Sequence, residues 1–193
     1  MNTPKIVKSS AADLEPVKAV LTLGFSSDAL LRWVFPDPSS YLKCFYVWME
    51  EFSKIAFENN IVYSEENLFG SSLWHPPGVE FDNSVLESTF EYIPEDRVEV
   101  VIKFFEEFEK YHPDDAWYLP FIAVDPSQQR KGIGSFLLKE ALKMIDEKGD
   151  RAYLEASNES NKALYERHGF VEIGRVQFED SPPAFPMIRE SSK

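Results

Sequence analysis

A single cysteine, Cys44, stands among the 193 residues, so no internal disulfide can staple this fold and no cysteine cluster can hold a metal. Cys44 itself reads as a small buried hydrophobe. Histidine is nearly as scarce. His75, His112 and His168 form no His-x-x-x-His pair, which leaves no legible metal site. No apolar run approaches the length of a bilayer span, and the start Met1-Asn2-Thr3-Pro4-Lys5 lacks the hydrophobic stretch of a secretory signal. Together these absences predict a cytoplasmic protein with no membrane partner and no metal. Positive charge is also in deficit. Twenty Lys and Arg face 33 Asp and Glu, a net charge of −13, which argues against nucleic acid as a partner because phosphates would be repelled except at a local basic patch. The same negative surplus suits a cationic substrate such as an amine, or serves solubility alone.

What is present is enough for a core. Hydrophobic residues make up 44% and aromatics 15%, too much for a disordered chain, and 193 residues suit one domain spanning 1–193. Periodicity gives its elements. A strand is expected over 5–8, then a helix capped by Asp13 and running to about Phe25, with Leu14, Val17, Val20, Leu21 and Leu23 apolar. Pro36-Asp37-Pro38 punctuates. A long helix over 39–58 carries the stripe Leu42, Phe45, Tyr46, Met49, Phe52 and Ala56. Residues 61–64 and 68–74 read as a hairpin turning at 65–67, closed off by His75-Pro76-Pro77-Gly78 in a possible substrate loop. A helix over 97–111 turns Val98, Val101, Ile102, Phe105 and Phe108 inward. Then come a strand over 117–124, a helix over 131–148 with Ile133, Leu137, Leu138, Ala141, Leu142 and Ile145 inward, and strands over 151–156, 170–178 and 185–189. Strands mixed with helices in this order give an α/β sandwich, with helices on both faces of the sheet.

The segment from Val124 to Leu138 carries the most information. The apolar run Phe121-Ile122-Ala123-Val124 breaks at Asp125-Pro126, a loop with Arg130, Lys131, Gly132 and Gly134 follows, and a helix begins. A strand, a basic glycine loop and a helix N-terminus present bare backbone N–H groups to a phosphate. Spacing excludes two such loops. Lys131 precedes its glycine, unlike the lysine of a P-loop, and a Gly-x-Gly-x-x-Gly fingerprint would need glycine where Leu137 stands. What remains is Gln129-x-x-Gly132-x-Gly134. About twenty residues on, Tyr153-Leu154-Glu155-Ala156-Ser157-Asn158 leads through a polar turn to Leu164-Tyr165-Glu166-Arg167-His168-Gly169-Phe170, which reads as strand, turn, helix and strand start.

These two motifs, in this order and at this distance, resemble the acetyl-CoA-binding motifs of the GCN5-related N-acetyltransferases (GNAT). The likeness covers about residues 115–190; residues 1–115 match in element order alone. It implies a single-domain mixed, mostly antiparallel sheet with an acetyl-CoA core over about 115–180 and the substrate side in the N-terminal part. It implies that the amides around Gln129, Arg130, Lys131, Gly132, Ile133, Gly134 and Ser135 hold the pyrophosphate. The backbones of Ile122, Ala123 and Val124 would pair with pantetheine, near Asn158 and Asn161. Tyr165 would protonate the departing sulfur. Each assignment has a plainer alternative: Arg130 and Lys131 as surface charges, Asn158 as a helix cap, Tyr165 as a packing aromatic. Glu155 is the candidate base, or a surface or ion-paired glutamate.

The resulting expectation is transfer of an acetyl group to an amine of a small molecule or peptide by direct attack in a ternary complex. A non-catalytic acyl-CoA sensor and an O-acyltransferase are the alternatives; a pure sensor has no need of an acid at Tyr165. The chain would be a monomer or homodimer. The segments 73–78, 117–124 and 182–187 look loosely similar to the puromycin acetyltransferase-like branch. Phe25, Trp33, Trp48 and Trp74 are expected either as substrate walls or as core aromatics.

Overall fold

The architecture follows from a computed structural model that describes residues 3–79 and 84–191. Met1 and Asn2 of the N-terminal stretch read above lie outside the described residues, as do the last two of the expected 1–193 domain. In chain order the elements are β1 (Ile6–Lys8), α1 (Leu14–Phe25), α2 (Ala29–Val34), α3 (Pro38–Glu58), β2 (Val62–Glu65), β3 (Gly70–His75), α4 (Ser84–Glu87), α5 (Val98–Glu109), β4 (Ala116–Val124), α6 (Ile133–Lys148), β5 (Arg151–Ala156), α7 (Glu159–Glu166), β6 (Val171–Glu172) and β7 (Phe185–Arg189). The strands form one sheet of order β1-β2-β3-β4-β5-β7-β6. Only β4 and β5 run parallel; every other neighbouring pair is antiparallel. Helices α1 and α3 pack on one face and α6 on the other, so the mixed sheet is covered on both sides as expected.

Helix α6 was the most legible element. All six of its expected inward residues are buried. It begins at Ile133 rather than Lys131, because Arg130 and Gly132 hold φ of 63° and 86°, left-handed conformations that cannot continue a helix. Helix α3 is rotated from the expected stripe. Phe45, Met49, Phe52 and Ala56 are buried, but Leu42 is 56% exposed and Tyr46 41%, while Tyr41, Cys44 and Trp48 take the inner places. The helix is aromatic around too wide an arc for periodicity to choose its edge.

Other differences have local causes. Asp13 does not cap α1 with its side chain; its carboxylate accepts the Ser10 backbone N–H at 2.7 Å and so belongs to the turn before the helix. Leu23 faces solvent and Val17, Val20 and Leu21 face the core. On α5, Val101 and Phe104 are the buried pair, so the inward face includes a phenylalanine the expected stripe omitted. The expected strand over 170–178 shrinks to Val171–Glu172 plus a lone bridge from Val176 to Ala184. Gly174 interrupts it, and the Tyr111 ring lies where a Gly174 Cβ would stand, within 2.3 Å. Helix α2 was not anticipated. Asp28 starts it, accepting the N–H groups of Leu30 and Leu31 at 3.1 Å each.

Candidate active site

The site begins with a parting of strands. β4 and β5 pair only from Ala116 and Arg151 to Tyr118 and Tyr153. Beyond that point β4 stays with β3, Phe121 to Val124 lying opposite Leu73 to Gly70, while Leu154 to Ala156 of β5 stay with β7. Two causes are visible. Pro120 has no N–H to give a neighbour, and the β3–β4 register slips between Leu73 and His75, a bulge that bends β4. A wedge therefore opens, and along Ile122 to Val124 the β5-facing edge of β4 has no strand beside it.

The glycine loop closes one end of the wedge. Asp125 accepts the Ser127 N–H at 2.7 Å and sets a short 3-10 turn, Pro126–Gln128. Gln129 Nε2 reaches back to the Val124 carbonyl at 3.4 Å, and Lys131 Nζ donates to Gln128 Oε1 at 2.6 Å. Gly132 then starts α6 without any side chain to cap it, so the first N–H groups of a sixteen-residue helix face the loop with no side-chain acceptor. Gly132 needs its glycine for φ. Gly134 does not: a Cβ there would meet only Leu164 Cδ2 at 3.7 Å and Val124 Cγ2 at 3.9 Å, ordinary contacts. The chain itself has room for a side chain at 134, which fits a group from outside lying against this backbone. Ser135 links the two motifs, its hydroxyl 2.8 Å from His168 Nε2. Burial and the cations Lys139, Arg167 and Arg189 lower the His168 pKa, so it is a neutral hydrogen-bonding partner.

The other end of the wedge holds the titratable groups. Asn158 caps α7, its Oδ1 accepting the Asn161 N–H at 2.9 Å, and both side-chain amides lie near Ser157 Oγ, at 3.4 and 3.5 Å. Tyr165, in the last full turn of α7, is buried and packs edge-on to Phe170. Burial raises its pKa, and the negative charges of Asp28 and Glu155 raise it further, so the phenol keeps its proton. Asp28 joins this group from the N-terminal half: its second oxygen accepts the Ser157 hydroxyl at 2.6 Å, and burial raises its pKa.

Glu155 lies deep in the protein but keeps an edge open to a cavity of about 580 Å³. Burial pushes its pKa up to about 7, against the phenols of Tyr153 and Tyr118, which favour the carboxylate. The Tyr153 hydroxyl is buried and lacks a partner in bonding geometry, so its pull on Glu155 is that of a nearby dipole. The His112 ring packs on both phenols, with centroids 4.6 Å and 4.9 Å away. His75, instead of lying in a free loop, ends β3 and lines the cavity. It stacks on Phe52, donates from Nε2 to the Phe52 carbonyl at 2.9 Å, and is pushed down to about 4 by burial, hence neutral.

Of the four aromatics expected either as walls or as core, Phe25 and Trp48 line the cavity. Trp33 instead donates to Asp180 Oδ1 at 2.9 Å, and Trp74 is wholly buried on the strand parity that faces α6. Asp28, Tyr118, Tyr153 and His112 were not anticipated as site residues. Only Asp28 had a signal, an acid just before Ala29-Leu30-Leu31. Cys44 is buried, its thiol pushed up to about 11. Among the described residues no three His, Cys, Asp or Glu side chains gather as a metal would require, and no helix is long and apolar enough to cross a membrane.

Comparison with known proteins bears on the same region. Residues 107–191 match the family described as acetyltransferase (GNAT) domain. An uncharacterized N-acetyltransferase of Schizosaccharomyces pombe is 29% identical over 188 residues, 81% of this chain and 74% of that protein. A Corynebacterium glutamicum structure described as histone acetyltransferase HPA2 and related acetyltransferase superposes with a TM-score of 0.70 at 22% identity, over 100% of this chain and 98% of that one. Arylalkylamine N-acetyltransferase 2 from Aedes aegypti gives a TM-score of 0.66 at 12% identity, over 98% and 99%. These structural likenesses establish the fold, and with the sequence matches the class is that of an acyltransferase enzyme. Over residues 107–191 the chain is similar to GNAT acetyltransferase domains, and its whole fold is that of the acetyltransferase structures it superposes on.

Proposed function

We propose that this protein is an acetyl-CoA-dependent N-acetyltransferase that passes the acetyl group directly to an amine in a ternary complex. The observation that carries the proposal is the wedge between β4 and β5, with an uncapped helix start at one end and a carboxyl–phenol pair at the other. The α6 amides and Gly132–Gly134 suit the cosubstrate pyrophosphate. The edge of β4 along Ile122, Ala123 and Val124, which no strand covers, suits the pantetheine amides, which would bind as a partial strand. Arg130 and Lys131 are exposed beside the loop and supply cations for phosphate.

The chemistry then divides between two residues. An amine with an ordinary pKa near about 10 arrives as an ammonium ion and must lose a proton before attack. Glu155, with a pKa of about 7, is ionised in a good fraction of molecules near neutral pH and takes that proton. The nitrogen lone pair attacks the thioester carbonyl and a C–N bond forms. Collapse breaks the C–S bond, and Tyr165, held neutral by its two carboxylate neighbours, gives its proton to the sulfur. The second proton on nitrogen passes to the phenolate and restores the phenol, Glu155 gives the first to solvent, and the net products are amide, CoA thiol and one proton. A cytoplasmic setting, where acetyl-CoA is made and used, fits a chain whose one cysteine is buried and reduced.

The test combines calorimetry with thiol release. Acetyl-CoA should bind, and an amine panel should release CoA thiol. Tyr165→Phe should lower kcat about a hundredfold or more and leave acetyl-CoA affinity within about threefold. No calorimetric response to acetyl-CoA, or a Tyr165→Phe enzyme of unchanged kcat, refutes the proposal or the acid assignment respectively.

A further inference from the structure

We infer that the acceptor is an amine bearing a bulky apolar group and no carboxylate of its own, which enters as its ammonium ion. This names the substrate class of the site proposed above and rests on that proposal. The cavity of about 580 Å³ is within the range that holds a drug-sized molecule. Its broad walls are aromatic: Phe25, Trp48, Phe52, Phe105, Phe108 and Phe121. Three of these brace one another edge to face, Phe25 on Phe121 at 5.4 Å and Phe52 on Phe121 at 5.0 Å, so that part of the wall is rigid. Apolar surface brought against rings already fixed in place does not have to order them first.

The charges point the same way. Asp28, Glu109, Asp114 and Glu155 line the cavity, and among its described lining residues there is neither lysine nor arginine. Its two histidines add no balancing cation at neutral pH: burial lowers both, His75 to about 4. Glu109 and Asp114 are exposed, at the rim, whereas Asp28 and Glu155 lie inside, both near enough to Tyr165 to hold its proton. A cation is thus drawn from the rim to the place where the sulfur would leave. A substrate carboxylate would meet four like charges and no partner. A polycation would satisfy the acids yet leave the rings facing water.

The wild-type enzyme can be tested with acetyl-CoA and five acceptors: propylamine, pentylamine, 2-phenylethylamine, phenylalanine and spermidine. Each added buried CH₂ should raise kcat/KM about fourfold, so pentylamine should exceed propylamine by at least about tenfold and 2-phenylethylamine should be no worse. Phenylalanine, the same body with a carboxylate, should fall at least about a hundredfold below 2-phenylethylamine. Phe108→Ala should depress 2-phenylethylamine more than propylamine by about tenfold; this variant is first checked for an unchanged thermal shift with acetyl-CoA. A flat response to chain length, or fastest turnover of spermidine or phenylalanine, overturns this inference and leaves acetyl transfer standing. Absence of acetyl-CoA binding with no thiol released by any amine overturns both.

Discussion

Replacing Glu155 with glutamine should make the enzyme slower and, at alkaline pH, more stable. The carboxyl has a folded pKa of about 7 against an ordinary value of 4.5, because burial penalises its charge more than Tyr153 and Tyr118 compensate. A folded pKa raised above the unfolded one means the native state prefers the proton. The resulting stability is fully present below about pH 4.5 and is lost as the pH rises to about 7 and beyond. The difference between the two pKa values is worth about 3 kcal/mol. Glutamine keeps the shape without the charge. Urea denaturation at pH 8 should therefore find Glu155→Gln more stable than wild type by about 3 kcal/mol, a melting temperature higher by about 6–12 °C, and at pH 5 the gap should shrink to about 1 kcal/mol or less. Activity should move the other way. At saturating amine, wild-type kcat should fall with acid about a midpoint near pH 7, and the variant should lose that inflection along with a factor of about 10²–10⁴ in kcat. A variant no more stable at pH 8 than at pH 5 relative to wild type, with the inflection intact, would refute both the burial argument and the base assignment.

Two further perturbations separate the cosubstrate loop from the scaffold. Gly134→Ala should raise the melting temperature by about 2–4 °C, since alanine suits a helix better by up to about 1 kcal/mol and its Cβ meets only ordinary contacts; calorimetry should show acetyl-CoA affinity down at least about tenfold. Arg189→Lys should lower the urea midpoint by the equivalent of about 1.5–3 kcal/mol with an unchanged slope. It loses two parallel bonds to Asp146, at 2.7 and 2.8 Å, and the Nε bond to the His168 carbonyl at 2.9 Å, all in a part-buried setting.

The C-terminal half was legible because its signals are local. Loop glycines, the helix they start and the spacing to Asn158 and Tyr165 all lie within a short stretch, and α6 buries the residues its period indicated. The N-terminal half writes its signals less sharply. Helix α3 offers apolar residues around most of its circumference, so its inner edge is chosen by α1 and β3, not by its own period. Helix α2 has six residues, too few to show a period, and is fixed by one capping acid. The partners of Glu155 were invisible for a different reason. Tyr118 and Tyr153 are 35 residues apart and meet only because β4 and β5 are parallel neighbours in register. The raised pKa of Glu155 is a property of that meeting, and no spacing in the sequence encodes it.

Asp28 shows why the two halves must be read together. It is a helix cap by its bonds to Leu30 and Leu31, a clasp by its bond to Ser157, and a fixed negative charge by its effect on Tyr165. Those roles are compatible because three donors on two oxygens keep the carboxylate in place although burial raises its pKa. For the proposed acid and base to work in one pocket, the phenol must not lose its proton to the carboxylate. Here the exchange is opposed from both sides: the carboxylates make a phenolate costly, and the Tyr153 and Tyr118 phenols limit the rise that burial imposes on Glu155 to about 7, below the phenol. Proton flow from Tyr165 to Glu155 is therefore uphill. In the proposed chemistry Tyr165 would give its proton to sulfur only as the C–S bond breaks, and the order of events would be set by electrostatics already present before substrate arrives.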